Sequence, residues 1–271
     1  MRVSASERAM NYAILAVFSL VVLWPLGTVL AKAFGPESVS AGREGAFHPE
    51  NFAAAWSEGR FSQYMLTSAL VAVTVVCVAT IVSILAGYAF GTMRFRGSTA
   101  LFYLFLLGIM VPTEAIIIPL FFDMRAAGLT DTVWGVALPQ IAQSTAFGTY
   151  WMRAYFRGAN VSMIEAARID GATPRRILWQ VLVPTARPAI LTMVILFFMW
   201  TWNEFLIPLV MSPSGSFRTA PLGLAFFQGQ YTQGTALLAA GAVLVALPIV
   251  VLYFFLQRHF IRGMLEGAVK E

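Results

Sequence analysis

The chain has 271 residues, of which 59% are hydrophobic and only 11% are charged, with a mean hydropathy of +0.75. A soluble domain carries about a quarter charged residues, and an interior built from 271 residues cannot absorb this much apolar surface, so lipid must solvate much of it. A net charge of +5 and a pI of 9.7 would suit nucleic acid only if they formed a basic face, and the arginines cluster instead between apolar runs.

In chain order, six apolar stretches have about the 20 residues that a bilayer crossing needs: about Tyr12–Ala33, Tyr64–Phe90, Ala100–Phe122, Val133–Met152, Ile190–Met211 and Thr235–Leu256. They predict an all-α polytopic protein forming one domain over 1–271, with no internal repeat. The first stretch also resembles a signal peptide, with Arg2 and Arg8 ahead of it and Ala31-Lys32-Ala33 as a cleavage-like site. Its length and Pro25 favour an uncleaved anchor. The fourth holds Gln140, Gln143, Ser144 and Thr145 in its middle, so it is expected to face protein or water. Cys77 lies within the second stretch, reads as a small core residue and allows no internal disulfide. His48 and His259 lie outside the spans, which argues against a metal site.

Loop charge sets an expected orientation. Alternate segments hold Arg2 and Arg8; Arg94 and Arg96; Arg153, Arg157, Arg168, Arg175, Arg176 and Arg187; and Arg258, Arg262 and Lys270. The opposite set holds Lys32, Arg43, Arg60, Arg125 and Arg218. The positive-inside rule then places both termini and the segment 153–187 in the cytoplasm.

Within that segment, Ser162-Met163-Ile164-Glu165 fits a capping box, with Ser162 as N-cap and Glu165 reaching back. Gly171 is the expected helix stop, because glycine accepts the left-handed conformation. Thr173 and Pro174 restart a helix as cap and first residue, and Pro184 is expected to close it. Two short helices meeting at a corner are too short to be stable alone and must pack on something. Ala166 and Ala167 leave a thin flank, with Glu165, Arg168 and Asp170 around it. The residues alone allow either a connector folded on this chain's own helix ends or a docking knob for a partner.

The run Glu165-Ala166-Ala167-Arg168-Ile169-Asp170-Gly171-Ala172-Thr173, followed by Leu182-Val183-Pro184, resembles the signature EAA loop of bacterial ABC-importer permeases. VPTEAIIIPLF (111–121), AGLTDTVWGVALPQ (127–140), TWNEFLIPLV (201–210), GLAFFQGQY (223–231) and LQRHFIRGMLEGAVK (256–270) are similar to the carbohydrate-uptake, maltose-permease type. The likeness runs from about residue 60 to the end. It departs from the family at Ala159-Asn160, where Ile-Pro is usual, implying a helix start capped by serine.

The resemblance implies a binding-protein-dependent subunit of the bacterial inner membrane that takes up a sugar or sugar derivative. Its coupling helix would dock through Glu165, Ala166, Ala167, Asp170 and Gly171 into an ATP-hydrolysing subunit. The implied partners are a second homologous permease, two ATP-binding cassette subunits and an extracytoplasmic solute-binding protein. That binding protein would meet the loop Ser212–Gly234 with its Phe226, Phe227 and Tyr231, and the tail Gly267-Ala268-Val269-Lys270 would touch the ATPase dimer. ATP and magnesium would be held by those subunits, and no cofactor by this chain. The chain itself has no Gly-Lys-Ser/Thr phosphate loop.

Glu114 and Glu204 are acids within apolar runs, where an ionisable group is a functional candidate by default. Trp202, Asn203 and Glu204 offer a ring face, an amide and a carboxylate suited to a sugar, with Gln140, Gln143 and Ser144 as further pathway candidates. An aromatic belt with an interhelical hydrogen bond is the competing and favoured reading of Trp202–Glu204, and Glu114, after Pro112, reads first as a structural group at a helix break. A proton-coupled secondary transporter using Glu114 or Glu204 is the alternative function, though it leaves the EAA loop unexplained. Paired aspartates, His-Glu-x-x-His and Ser-His pairs are absent from the spans, so no catalytic residue is predicted.

Overall fold

The structure, a computed structural model, describes residues 4–36, 47–159, 161–230 and 235–268, with the backbone alone at 5, 161, 226–230 and 258–268. Every regular element among them is helical, as expected where backbone groups in lipid must pair within their own segment. Among the described residues, three helices are long and apolar enough to cross a membrane, or up to five if each of two bent helix pairs forms one span.

The chain forms two compact units, Met1–Gln63 with Gly223–Leu247, and Tyr64–Leu222 with Pro248–Glu271. In the first unit, α1 (Ala5–Ala33) starts on a capping box in which Ser4 and Glu7 bond each other's backbone. None of its apolar window is buried within the chain. Past its end, the buried Asn51 donates from Nδ2 to the carbonyls of Ala33, 3.0 Å, and Gly35, 2.9 Å. That pins α2 (Glu50–Glu58) to the exit of α1. Phe61 is fully buried, and a Cβ on Gly241 would lie 2.9 Å from its Cζ, so the ring rests on bare backbone.

The second unit is organised by α3 (Phe61–Thr92) and α6 (Val133–Arg157). Ser83, Gly87 and Gly91 recur every four residues along one face of α3. Cβ atoms on Gly87 and Gly148 would collide with Met152 Cβ and Ser83 Oγ respectively, and one on Gly91 would lie 3.1 Å from Phe156 Cβ. Small residues let the two backbones approach, which drives helix association where lipid offers no hydrophobic difference. Arg153 adds a polar tie, its Nε donating to the Phe90 carbonyl at 3.3 Å and its guanidinium lying 3.7 Å from the Phe102 ring centroid. Gln140, Ser144, Thr145 and Thr149 of α6 are buried, as expected for a span with polar residues in its middle.

Two expected spans are broken. The stretch Ala100–Phe122 is not one helix but α4 (Ser98–Met110) and α5 (Thr113–Ala126), bent by 99°. Pro112 forces Val111 into extended backbone, ψ 116°. The stretch Ile190–Met211 likewise divides into α10 (Arg187–Asn203) and α11 (Leu206–Met211). Pro208 lacks an N–H and its ring would crowd the carbonyl four residues back, and that residue, Glu204, is extended at ψ 127°.

Between α6 and α10 lie α7 (Val161–Ile169), α8 (Pro174–Arg176), a π segment (Ile177–Leu182) and α9 (Val183–Thr185). Pro184 does not close the second helix, which runs on to Thr185. The turn widens instead, so that the Val183 N–H reaches the Leu178 carbonyl five residues back, and the chain bends by 79° into α10. After α11, Asp131 Oδ1 accepts from Ser212 Oγ, the Ser214 N–H and Ser214 Oγ, holding the following turn. α12 (Ala220–Gln230) and α13 (Thr235–Ala268) complete the chain. The side chains of Phe226 and Phe227, Tyr231, and the tail from Val269 lie outside the described residues.

Candidate functional site

Two places bring the predicted residues together, an exposed corner and a polar cavity. The corner is built by backbone chemistry. Gly171 has φ +76°, its N–H donates to the Arg168 carbonyl at 3.0 Å, and the Ala172 N–H donates to the Ala167 carbonyl at 2.9 Å. This pair of bonds is a Schellman termination, which needs a left-handed residue at the position Gly171 holds. Thr173 then accepts the Arg176 N–H on its side chain and starts the next helix with Pro174 in its first turn. The start of α7 differs from expectation. It begins at Val161, so Ser162 lies inside the first turn and is not the N-cap; the preceding Asn160 lies outside the described residues.

Packing decides which face of α7 is left over. Met163, Ile164 and Ala167 pack against a core of Tyr88, Met152, Phe156, Ile177, Leu178 and Leu182. Glu165, Ala166, Asp170 and Gly171 are exposed, whereas Ala167 is half-buried. Ile169 is 86% exposed, an apolar side chain at the tip of the corner that composition did not single out. The corner is held from behind at both ends of the second helix. Tyr88 Oη donates to the Pro174 carbonyl at 3.3 Å, Tyr155 Oη to the Thr185 carbonyl at 2.7 Å, and Trp151 Nε1 to the Ala189 carbonyl at 3.0 Å.

The cavity, about 810 Å³, lies where both helix breaks meet α6. Gln143, Ser144, Asn203 and Glu204 line it, as does Glu114. Trp202 does not: it is 4% exposed and stacks on Phe198, ring centroids 5.4 Å apart. Trp200, two residues earlier, lines the cavity instead. The cause is helical spacing, since neighbours two apart point to different faces. Glu204 has a definite structural bond, its Oε1 accepting the Ile207 N–H at 3.0 Å and capping the restart of the broken helix. Gln143 Nε2 donates to Thr113 Oγ1 at 2.6 Å, closing the other break against α6. Thr113 and Thr201 also line the cavity; neither carried a signal in the sequence.

Helices interrupted within apolar stretches are tolerated in a bilayer only where the freed backbone faces protein or a water-filled cavity, and that construction is characteristic of transport proteins. The class is therefore a multi-pass permease. Residues 79–266 match the binding-protein-dependent transport system inner membrane component family, and the chain belongs to that family, a family of transport permeases and not of enzymes.

Among its relatives, the trehalose transport system permease protein SugB of Mycobacterium tuberculosis is 33% identical, over 95% of this chain and 91% of that protein. The arabinooligosaccharides transport system permease protein AraQ of Halalkalibacterium halodurans is 32% identical, over 94% of each. The maltodextrin transport system permease protein MdxG of Bacillus subtilis is 30% identical, over 96% of this chain and 95% of that protein. A solved bacterial ABC transporter importing the acidic polysaccharide alginate shares the fold, with a TM-score of 0.80 at 23% identity, covering 96% of this chain and 99% of that one. A solved bacterial alginate ABC transporter in complex with an alginate pentasaccharide-bound periplasmic protein aligns with a TM-score of 0.68 at 12% identity, over 92% of this chain and 94% of that one.

Proposed function

We propose that this chain is the membrane-spanning subunit of an ATP-driven importer for a saccharide, forming half of the translocation pathway as one domain over 1–271. Its six spans place both termini and the 153–187 loop in the cytoplasm, with α4 and α5 as one broken span and α10 and α11 as another. The other components are a second homologous permease, two ATP-binding cassette subunits that hold ATP and magnesium, and an extracytoplasmic binding protein. The relatives named for trehalose, maltodextrin and arabinooligosaccharides support the solute class. The alginate importer with its periplasmic protein supports the binding-protein partner.

The observation that carries the coupling role is the Gly171 corner. Glu165, Ala166, Asp170 and Gly171 face outward, with Ile169 projecting beside them, while the inner face of α7 is committed to this chain's own core. An apolar tip ringed by charge on a rigid turn suits insertion into a cleft of a soluble partner. Gln143, Ser144, Asn203 and Glu204 act in the pathway; Trp202 supports it from the packed side.

The test is uptake in vesicles made with and without the ATPase subunits, beside co-purification of those subunits with this chain. Uptake that needs neither ATP nor those subunits, and that follows a proton gradient, would replace this reading with a secondary transporter using Glu114 or Glu204.

A further inference from the structure

The sign of the charge on the transported solute can be read from the cavity, given the pathway role proposed above. Two carboxylates, Glu114 and Glu204, line it, and among the described lining residues there is no lysine, arginine or histidine. The two acids differ in setting, Glu114 being exposed and Glu204 half-buried. Glu114 occupies the first turn of α5, and Glu204 holds the Ile207 N–H at the start of α11. Both residues therefore lie at a helix start, where the helix dipole suits a negative charge, and Glu204 pairs one of the N–H groups there.

The remaining polar groups suit hydroxyls. Gln143 and Asn203 carry amides, whose nitrogens bond Thr113 Oγ1 and the Met199 carbonyl, and Trp200 adds an aromatic residue to the lining. Thr201, 6% exposed, contributes to the same lining, with its hydroxyl oxygen turned into the packed side. Carboxylate oxygens accept from sugar hydroxyls, whereas an anionic substituent would meet two like charges. The fold itself does not decide this, because an importer of the acidic polysaccharide alginate shares it.

We infer that this half of the pathway admits saccharides without carboxylate, phosphate or sulfate groups and rejects anionic ones, with Glu114 and Glu204 as the selecting charges.

The test reads the sign of the cavity directly. The full chain is expressed in its own membrane with Cys77→Ser and Met199→Cys, Met199 being an uncharged lining residue. Modification by a trimethylammonium-bearing methanethiosulfonate is timed against a sulfonate-bearing one, each normalised to its rate on a free thiol. The cationic reagent should react about tenfold faster, and the ratio should fall toward one when Glu114→Gln and Glu204→Gln are combined. Glu204→Gln keeps an acceptor for the Ile207 N–H, and the ratio with both glutamates intact is a test in its own right. Equal normalised rates with the glutamates present would overturn the inference while leaving the pathway reading standing. A cationic preference that persists in the double variant would also overturn it, since the charge would come from elsewhere. No reaction with either reagent would show a closed cavity and defeat the pathway reading with it.

Discussion

Tyr155 Oη donates to the carbonyl of Thr185 at 2.7 Å, so the last residue of the exposed loop's second helix is tied to a helix 30 positions back in the chain. Tyr88 makes the matching bond to Pro174 at that helix's first residue. Tyr88→Phe with Tyr155→Phe removes both hydroxyls and keeps the rings, which also pack against Phe156. Each bond contributes about 1 kcal/mol, so the double variant should insert at normal level. Loss of the rigid tie should lower uptake per ATP hydrolysed several-fold. Uptake and ATPase rates measured on the same vesicles check this, and an unchanged ratio would make the two bonds merely local.

Gly171→Val places a branched residue at φ +76°, at a cost of roughly 1–2 kcal/mol. No atom lies within 4 Å of the Cβ position, so the strain is in the backbone and not a clash. The corner should open and lose the ATPase subunits on purification, while the chain still inserts. Glu165→Ala should be milder, because it removes one exposed charge and leaves the turn intact. Wild-type co-purification and uptake in Gly171→Val would reduce the loop to an ordinary connector.

Glu204→Gln and Glu204→Ala separate two roles of one side chain. Glutamine retains an oxygen for the Ile207 N–H, so assembly should be unaffected and transport altered. Alanine loses the cap as well, with about 1 kcal/mol less stability in the restart of the broken helix. Uptake at several substrate concentrations, alongside detergent thermal stability, distinguishes them. Wild-type uptake for glutamine would remove Glu204 from the pathway.

Gly87→Val should fail earlier than any of these. Its Cβ alone would collide with Met152 Cβ and lie 3.0 Å from the backbone nitrogen of Arg153, so α3 and α6 would have to separate along their seam. The expected result is low membrane abundance with rapid proteolysis, whereas Gly27→Val, with open space around it, should accumulate normally. Quantitative immunoblotting of the two variants gives the comparison.

The proposed orientation is checked by labelling in intact cells on a Cys77→Ser background. A cysteine near Arg176 should be shielded from an impermeant thiol reagent, and one near Ser214 should react. The reverse pattern would invert the topology and place the Gly171 corner on the wrong side of the membrane for an ATPase.

Local chemistry was enough to establish the all-helical class, the left-handed turn at Gly171 and the Thr173–Pro174 restart, because each depends on residues within one turn of each other. The EAA run was legible only through its resemblance to importer permeases, because the residues alone left a connector and a docking knob equally open. The inward face of α7 was not, since Tyr88 and Phe156 reach it from helices distant in the chain. Averaged hydropathy also ran straight through Pro112 and Pro208, where the crowding a proline imposes on the residues before it breaks the helix, whereas Pro25, Pro119, Pro139 and Pro248 stay inside theirs. Tertiary packing decided the rest. It widened the helix around Pro184, turned Trp200 and not Trp202 to the cavity, and brought Glu114 and Glu204 to one space from separate helices. Those outcomes depend on which backbones can approach, and the spacing of Ser83, Gly87 and Gly91 against Gly148 acquires that meaning only once α3 and α6 are side by side.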